Sequence, residues 1–203
     1  MTRICLNMIV KNESKIIRRL LETVFPYIDA YCICDTGSTD DTITIIENFF
    51  QEQSRQIEGE IIQEPFRDFG YNRTFALKAC NKLDADYILL LDADMKLEAH
   101  IPPDEFRAYL TKDAYYIYQG SDRFFYKNTR IVKNRAAFSY WGVTHEYVNA
   151  PAGTQYGYFE KDQLFINDIG DGGSKGNKAQ RDIDLLTKGL QENPNNDRYT
   201  FYL

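Results

Sequence analysis

The chain has 203 residues, of which 43% are hydrophobic and 14% aromatic, and its formal net charge is −6. This length and apolar content suffice for one sizeable core, and the net negative charge argues against a broad nucleic-acid surface because phosphate contacts need clustered lysine and arginine. No run approaches the roughly 20 apolar residues of a membrane span, and the N-terminus enters a strand pattern instead of a signal peptide, so we expect a cytoplasmic protein with no membrane span.

Short β-rich runs alternate with helical periods throughout the first half of the chain. Four strands are predicted there, over Ile4–Val10, Ala30–Cys34, Glu60–Gln63 and Tyr87–Leu91. Three helices are predicted between them: the first opens at Asn12 and is ended by Pro26, the second is capped by Ser38 or Thr39, and the third runs from Tyr71 to Leu83. The order is therefore β-α-β-α-β-α-β.

Alternation of this kind predicts an α/β fold, in which a mostly parallel sheet carries helices on both faces. In such sheets, ligands bind outside the carboxyl ends of the strands. The first, second and fourth strands all end in polar residues, which include Asn12, Asp35, Asp92 and Asp94. Three polar clusters are therefore expected to converge on one edge of the sheet.

The pair Asp92 and Asp94 comes directly after an apolar run that begins at Tyr87. On an extended backbone the two carboxylates point the same way, about 7 Å apart, so they could share a hard cation that holds a diphosphate. Two other interpretations stay open at this point. The pair could simply end the strand and cap the next segment of the chain, or Asp92 could be the nucleophile of a phosphatase or phospho-acceptor protein.

The cysteines and histidines favour no metal or redox site. The four cysteines sit inside apolar patterns and are expected to be buried and reduced; they are Cys5, Cys32, Cys34 and Cys80. The two histidines, His100 and His145, are too few for a histidine-rich zinc site. The sequence also lacks the phosphate-loop, dinucleotide-binding, EF-hand and serine-hydrolase motifs.

After Asp94 the sequence becomes rich in tyrosine and phenylalanine, and its segments are predicted to form antiparallel strands and loops. These segments are Ala114–Tyr118, Arg123–Tyr126, Thr129–Lys133 and Tyr156–Phe159. Their aromatic side chains are expected mainly in core and sheet packing, although an acceptor groove could share some of them. An amphipathic helix is predicted from Lys178 to Leu190, and a further helix begins within residues 193–203.

Three ordered motifs, Leu6–Glu13, Asp35–Thr42 and Leu89–Asp94, resemble those of the family 2 glycosyltransferases of GT-A fold. The resemblance extends to Phe69–Arg73 and Trp141–Glu146. It implies a Rossmann-like, mostly parallel central sheet with helices on both faces and a smaller antiparallel, aromatic-rich C-terminal part. The activity that it implies is an inverting transfer of a sugar from a UDP-sugar to an acceptor hydroxyl. A divalent cation, manganese in preference to magnesium, would bind the diphosphate.

The resemblance also implies a domain organisation. Residues 1–190 would form a single glycosyltransferase domain, with a nucleotide-binding half at 1–95 and an acceptor half at 96–190. Residues 191–203 are interpreted as the start of a truncated C-terminal helical region, which resembles the entry to a helical-repeat array. The acceptor could be a glycan, a lipid or a protein, and neither it nor the oligomeric state can be derived from the sequence.

The resemblance assigns most of the donor site to the first half of the chain. Asp94 would bind the metal directly, and Asp92 would bind the ribose hydroxyls or reach the metal through water. The remaining contacts to the donor would come from Val10 and Asn12 at the base pocket, from Asp35 accepting the N3–H of uracil, and from Arg73 at the base or diphosphate.

Inversion requires a general base that removes the proton of the acceptor hydroxyl. Glu146 is the first candidate, and Asp168 and Asp171 are rivals for this role or for a further metal ligand. Lys175, Lys178 and Arg181 could close over the diphosphate. A nucleotidyltransferase of similar fold is an alternative, but it should have a glycine-rich basic loop after the first strand. A catalytically inactive sugar-nucleotide-binding module is the second alternative.

Overall fold

Strands from both halves of the sequence share one large sheet in the computed structural model, which describes residues 1–173 and 178–203. The strands are β1 (Ile4–Val10), β2 (Ala30–Asp35), β3 (Glu58–Gln63), β4 (Tyr87–Leu90), β5 (Met95–Ala99), β6 (Ala114–Gly120), β7 (Phe125–Lys133), β8 (Ser139–Trp141), β9 (Tyr147–Asn149), β10 (Tyr156–Tyr158) and β11 (Leu164–Asp168). The α-helices are α1 (Ile17–Val24), α2 (Thr42–Gln51), α3 (Phe69–Ala79), α4 (Pro103–Tyr109), α5 (Lys178–Glu192) and α6 (Asp197–Tyr202).

The large sheet has the order β3-β2-β1-β4-β7-β6-β11-β5, and β10 pairs with β6. Its first four strands are parallel, as the β-α alternation predicts. From β4 onward the pairs β4–β7, β6–β7 and β5–β11 are antiparallel, whereas β6 runs parallel to β10 and β11. The strands β8 and β9 form a separate antiparallel pair. The expected α/β class is therefore confirmed, with the antiparallel pairs in the C-terminal part. The segment Tyr156–Phe159, which was predicted as antiparallel, is an exception, because its strand β10 runs parallel to β6.

Helices cover both faces of the parallel part of the sheet. Alternate side chains of β1, such as Leu6 and Met8, join a core with α1 and α2, whereas Cys5 faces the opposite way and packs beside Leu77 of α3. All four cysteines are buried and free, as expected. Within residues 1–173 and 178–203, none of the helices combines the length and the apolar character that crossing a bilayer demands.

Three helix predictions need correction. Helix α1 begins at Ile17 instead of at Asn12, because the backbone of Asn12 has a φ of 57°, which is not helical. Helix α3 begins at Phe69 instead of Tyr71 because Asp68 caps it, accepting a hydrogen bond of 2.7 Å from the backbone N–H of Tyr71. Helix α2 is not capped by Ser38 or Thr39. The side chain of Asp40 accepts from the N–H of Thr42 instead, because Ser38 and Thr39 hydrogen-bond to Asn12.

Helix α4 was not predicted at all. It begins with two prolines, Pro102 at the N-cap and Pro103 in the first turn, and carries acidic residues near its N-terminus. Its length of 7 residues leaves too few turns for a helical period to stand out in the sequence.

Candidate functional site

A cleft of about 610 Å³ lies at the carboxyl ends of β1 and β4 and reaches the loop between β8 and β9. The predicted site residues that line this cleft are Val10, Asn12, Arg73, Asp92, Asp94, Glu146 and Asp168. Asp35 is not among the lining residues, although its neighbour Thr36 is. The fold thus brings together residues from positions 10 to 168, and both halves of the sequence contribute.

The loops after β1 and β2 are tied to each other at Asn12. Its backbone has a positive φ of 57°, a conformation that asparagine tolerates better than most residues. Its side-chain oxygen accepts from the N–H of Thr39 at 2.7 Å, and its own N–H donates to the hydroxyl of Ser38 at 2.9 Å. Asn12 is therefore fixed where the base pocket is predicted.

Asp35 is buried at the end of β2, with 2% of its surface exposed. Its carboxylate accepts from the backbone N–H groups of Gly37 at 3.0 Å and Ser38 at 3.1 Å, which closes the turn after the strand. A carboxylate has about four acceptor sites, so these two bonds leave capacity for a further donor. The role of Asp35 at the nucleobase stays a prediction.

Arg73 of α3 joins two predicted site residues in one buried network. Its Nη2 lies 2.5 Å from Oδ1 of Asp92, and its Nε donates to Oε1 of Glu146 at 2.7 Å. The guanidinium also lies over the ring of Tyr140, 5.7 Å from its centroid, and burial raises the pKa of that tyrosine to about 12. Arg73 thereby links the end of β4 to the loop that carries Glu146.

A second arginine, Arg130 of β7, faces the other oxygen of Asp92 at 3.5 Å. Its Nε donates to Oε1 of Gln119 at 2.6 Å, and Gln119 in turn donates to the hydroxyl of Tyr126 at 2.9 Å. Arg130, Gln119 and Tyr126 all line the cleft, and none was predicted as a site residue. The sequence offered a signal for two of them, because Arg130 lies within the predicted segment Thr129–Lys133 and Gln119 directly follows the predicted segment Ala114–Tyr118.

The charges of this network control its protonation. Although burial opposes ionisation of Asp92, the guanidinium groups of Arg73 and Arg130 hold its pKa below the ordinary value. Burial also disfavours the charged form of Arg73, but the carboxylates of Asp92 and Glu146 outweigh this effect and raise the pKa of Arg73 above its ordinary value. Asp92 is therefore a charged carboxylate whose two oxygens already face arginines.

Asp94 and Asp168 lie at the edge where β11 meets β5. Asp168 pairs with Met95 in the strand register, and the N–H of Ile169 donates to the backbone oxygen of Asp94 at 3.3 Å. A Cβ atom at Gly172 would lie 3.2 Å from Oδ2 of Asp94, so glycine at this position leaves room for the carboxylate. Asp171, the other rival, forms a two-point ion pair with Arg19 of α1 at 2.7 and 2.8 Å.

The donor set suits a divalent cation only in part. In the described portion of the chain, no group of three or more His, Cys, Asp and Glu side chains is arranged to hold a metal ion. Magnesium and manganese take oxygen ligands, and magnesium is commonly held by one or two carboxylates together with substrate phosphates. Asp94 fits that pattern, whereas a cation at Asp92 would compete with two arginines.

Glu13 is a further cleft residue that the sequence did not single out. It is buried, and its Oε2 accepts from the N–H of Gly173 at 2.9 Å, a contact across 160 positions. Burial raises the pKa of Glu13, an effect that the Gly173 hydrogen bond opposes and the charge of Asp94 reinforces. Such a carboxyl destabilises the native state once the pH rises through its native pKa.

We therefore expect Glu13→Gln to unfold at higher urea concentration than the wild type at pH 7. The difference should narrow towards pH 4, because protonated Glu13 is as uncharged as glutamine. Urea unfolding followed by circular dichroism at the two pH values measures this. Glu22→Gln is the matched control, since Glu22 is exposed and its ion pair with Arg18 lies at the surface. A Glu13→Gln protein less stable than wild type at pH 7 would contradict the expectation.

Basic residues of α5 also reach the cleft. Lys178 and Arg181 line it, and the guanidinium of Arg181 lies 4.8 Å from the ring centroid of Phe69. Both were predicted near the diphosphate. Lys175, named with them, lies outside the described residues.

Comparison with known proteins gives one family match and several partial relatives. The profile of Glycosyl transferase family 2 matches residues 5–174. An uncharacterized glycosyltransferase of Rickettsia felis is 31% identical over 122 residues, which is 59% of this chain and 39% of the relative. A similar protein of Rickettsia prowazekii is 30% identical over 122 residues, which is 59% of this chain and 38% of the relative. The chain thus spans less than half the length of these two relatives.

Two solved structures show a weaker likeness. S. aureus TarS 1-349 in complex with UDP has a TM-score of 0.47 and 20% identity, covering 60% of this chain and 37% of that one. Glucosyl-3-phosphoglycerate synthase from Mycobacterium tuberculosis, in complex with Mn²⁺ and UDP-glucose, has a TM-score of 0.41 and 15% identity, covering 58% of this chain and 44% of that one.

Proposed function

Because the chain belongs to glycosyl transferase family 2, we propose that it transfers a sugar from a UDP-sugar to an acceptor hydroxyl with inversion, aided by a divalent cation. The observation that carries the proposal is the convergence of three parts in one cleft. They are the polar end of β1 at Asn12, the acidic end of β4 at Asp92 and Asp94, and Glu146 on the β8–β9 loop. A donor site and a base candidate therefore share one space.

The donor would lie across the carboxyl ends of β1 and β4. Val10 and Asn12 would line the pocket for uracil, with Asp35 accepting from N3–H at its rear. Arg73 holds Asp92 at 2.5 Å, and this fixed orientation suits a carboxylate that accepts from ribose hydroxyls. The cation would bind Asp94, with Asp168 as a candidate for a second ligand. When bound, it supplies positive charge for the diphosphate leaving group.

The acceptor would approach from the side of Glu146. In an inverting transfer, the base removes the hydroxyl proton while the oxygen attacks C1 opposite the leaving diphosphate. Oε1 of Glu146 accepts from Arg73, so Oε2 is the oxygen that would take the proton. Asp168 is the rival base, and it lies on β11, at the Asp94 end of the cleft.

Two alternatives are less well supported. A nucleotidyltransferase would need a glycine-rich basic loop after β1, whereas this chain has Val10-Lys11-Asn12-Glu13 there, with Glu13 buried. An inactive sugar-nucleotide-binding module would use the same donor pocket. It differs from the enzyme only in that no donor is consumed.

A donor screen by thermal unfolding tests the first half of the proposal. UDP with Mn²⁺ should raise the melting temperature, and a ligand at 100 times its Kd adds about 2.7 kcal/mol to the free energy of unfolding. The same nucleotide with EDTA should protect less, because the cation joins Asp94 to the diphosphate. Protection by ADP or GDP but not by UDP would contradict the assignment of Asp35.

Donor turnover separates the enzyme from the inactive module. The wild type should hydrolyse or transfer at least one UDP-sugar, and Glu146→Gln should bind UDP normally yet lose about 10²- to 10⁴-fold in rate, the usual contribution of a general base. Glutamine still offers an oxygen to Arg73, so the loop should keep its position. A wild type that binds UDP with Mn²⁺ but consumes no donor would establish the inactive module.

A further inference from the structure

Helix α6 contacts the loop that carries Glu146, although this helix lies outside the residues that the family profile matches. The hydroxyl of Tyr199 accepts from the backbone N–H of Val143 at 3.1 Å. Nη2 of Arg198 donates to the backbone oxygen of His145 at 2.7 Å. Two polar side chains of this short helix therefore bond to the loop backbone on the N-terminal side of Glu146.

Aromatic contacts reinforce this attachment. The ring of Tyr199 stacks on Trp141 with centroids 5.4 Å apart, and Tyr202 stacks on His145 with centroids 4.1 Å apart. The Arg198 guanidinium lies 5.1 Å from the ring centroids of Tyr147 and Tyr202. Its Nε is buried without a hydrogen-bond partner in the described structure, so stacking and the bond to His145 hold this side chain.

The loop needs such support because its backbone conformation is unusual. Gly142 has a φ of 110°, and His145 has a φ of 49°, which few residues other than glycine adopt. On the opposite side, the N–H groups of Phe69 and Gly70 at the start of α3 donate to the oxygens of Val143 and Gly142 at 3.0 and 3.1 Å. The loop is thus held between α3 and α6.

Helices α5 and α6 also pack closely against each other. Gly189 of α5 lies against α6, and a Cβ atom there would come within 2.8 Å of the Tyr199 ring and 3.3 Å of Val143. Tyr199 is itself buried, with 8% of its surface exposed. The helix therefore cannot shift towards α5 without displacing the ring that bonds to the loop.

We propose that α6 is a positioning element of the active site, in which Tyr199 and Arg198 hold the Trp141–Tyr147 loop so that Glu146 reaches Arg73 and the acceptor. The catalytic unit would then include α6 instead of ending at residue 190. This inference rests on the proposed function, because it takes Glu146 as the base. Tyr199 and Arg198 touch no reacting atom and act through the loop.

Point variants of the full chain test this role. Tyr199→Phe keeps the stacked ring and removes only the hydroxyl that accepts from Val143, and Arg198→Ala removes the bond to His145. Each should lower kcat by about 10- to 100-fold, the loss expected from a displacement of about 1 Å, and leave the Kd for UDP within about twofold. Arg198→Lys retains a donor and should recover part of the loss. Phe201→Ala is the matched control, since Phe201 lies on the same helix with 81% of its surface exposed.

Amide hydrogen exchange provides a readout that does not depend on catalysis. The N–H of Val143 should exchange faster in Tyr199→Phe and Arg198→Ala than in the wild type, whereas exchange in β1 should stay unchanged. Unchanged exchange together with unchanged kcat in both variants would overturn the proposal. A wild type without turnover would refute the proposed function alone, and faster exchange at the loop would still establish the attachment to α6.

Discussion

Asp94→Asn is expected to lower the rate of sugar transfer by at least about 10³-fold. The cation would lose a charged protein ligand, and a cation that neutralises the negative charge developing on the diphosphate stabilises the transition state by several kcal/mol. Asparagine has nearly the same shape, so it should fit beside Gly172, where the carboxylate already lies close to the backbone. The fold should therefore survive. Isothermal titration should show that UDP binding no longer strengthens when Mn²⁺ is added.

The control for this variant is Asp104→Asn. Asp104 lies on α4, its side chain is 82% exposed, and it approaches Arg107 only at 3.9 Å. Its replacement removes the same charge from the chain without touching the cleft, so kcat and the Mn²⁺ dependence should stay at wild-type values. Full turnover and normal Mn²⁺-dependent binding in Asp94→Asn would refute the metal assignment.

Arg73→Met is expected to have the largest effect on stability. The side chains of Arg73, Asp92 and Glu146 are only 14%, 22% and 15% exposed, so removal of the cation leaves two carboxylates poorly solvated. Breaking a buried pair in this way costs about 3–5 kcal/mol. For a chain of this size the melting temperature should fall by roughly 6–20 °C, as measured by calorimetry.

Arg67→Met is the matched control, because it removes an exposed arginine instead of a buried one. Arg67 is 59% exposed and lies 3.7 Å from Asp68, so its loss should cost less than about 1 kcal/mol. The double variant Arg73→Met/Glu146→Gln should lose less stability than the sum of the losses in the two single variants. Glutamine is uncharged, so at position 146 the double variant has no buried charge that lacks its Arg73 partner. Equal losses for Arg73→Met and Arg67→Met would show that the network does not stabilise the fold.

The strands of the first half were predictable because their signals are local. The range Ile4–Val10 was predicted residue for residue, since a parallel strand buried on both faces is a continuous apolar run bounded by polar residues. Helix α4 is too short to show a clear helical period, and the contacts that stabilise it are distant in the sequence. Phe106 packs on Tyr27 and Phe159, and Arg107 pairs with Asp29 at 3.1 Å.

Some residues of the candidate site were likewise predictable from local sequence, and others were not. Residues at strand ends, such as Asn12, Asp92 and Asp94, could be predicted because parallel strands end at one edge of the sheet. Glu13 could not, because its burial depends on Gly173, which is 160 positions away in the sequence. The burial of Arg130 could be suspected from the sequence, since a cation beside an apolar run in a strand needs a buried partner. The sequence does not identify Asp92 as that partner.

The strand order β3-β2-β1-β4 also constrains how the chain acquires its structure. β1 is synthesised before β4, yet one of its two edges pairs with β4, as the register of Ile4 with Tyr87 shows. Until β4 is made, that edge of an apolar strand has no partner, and it is open to pairing with another chain. Closing a loop of this length costs entropy before any contact rewards it, so the pairing is intrinsically slow. The acidic end of β4 meets the end of β1 only in this step, so the cleft cannot form before β1 and β4 have paired.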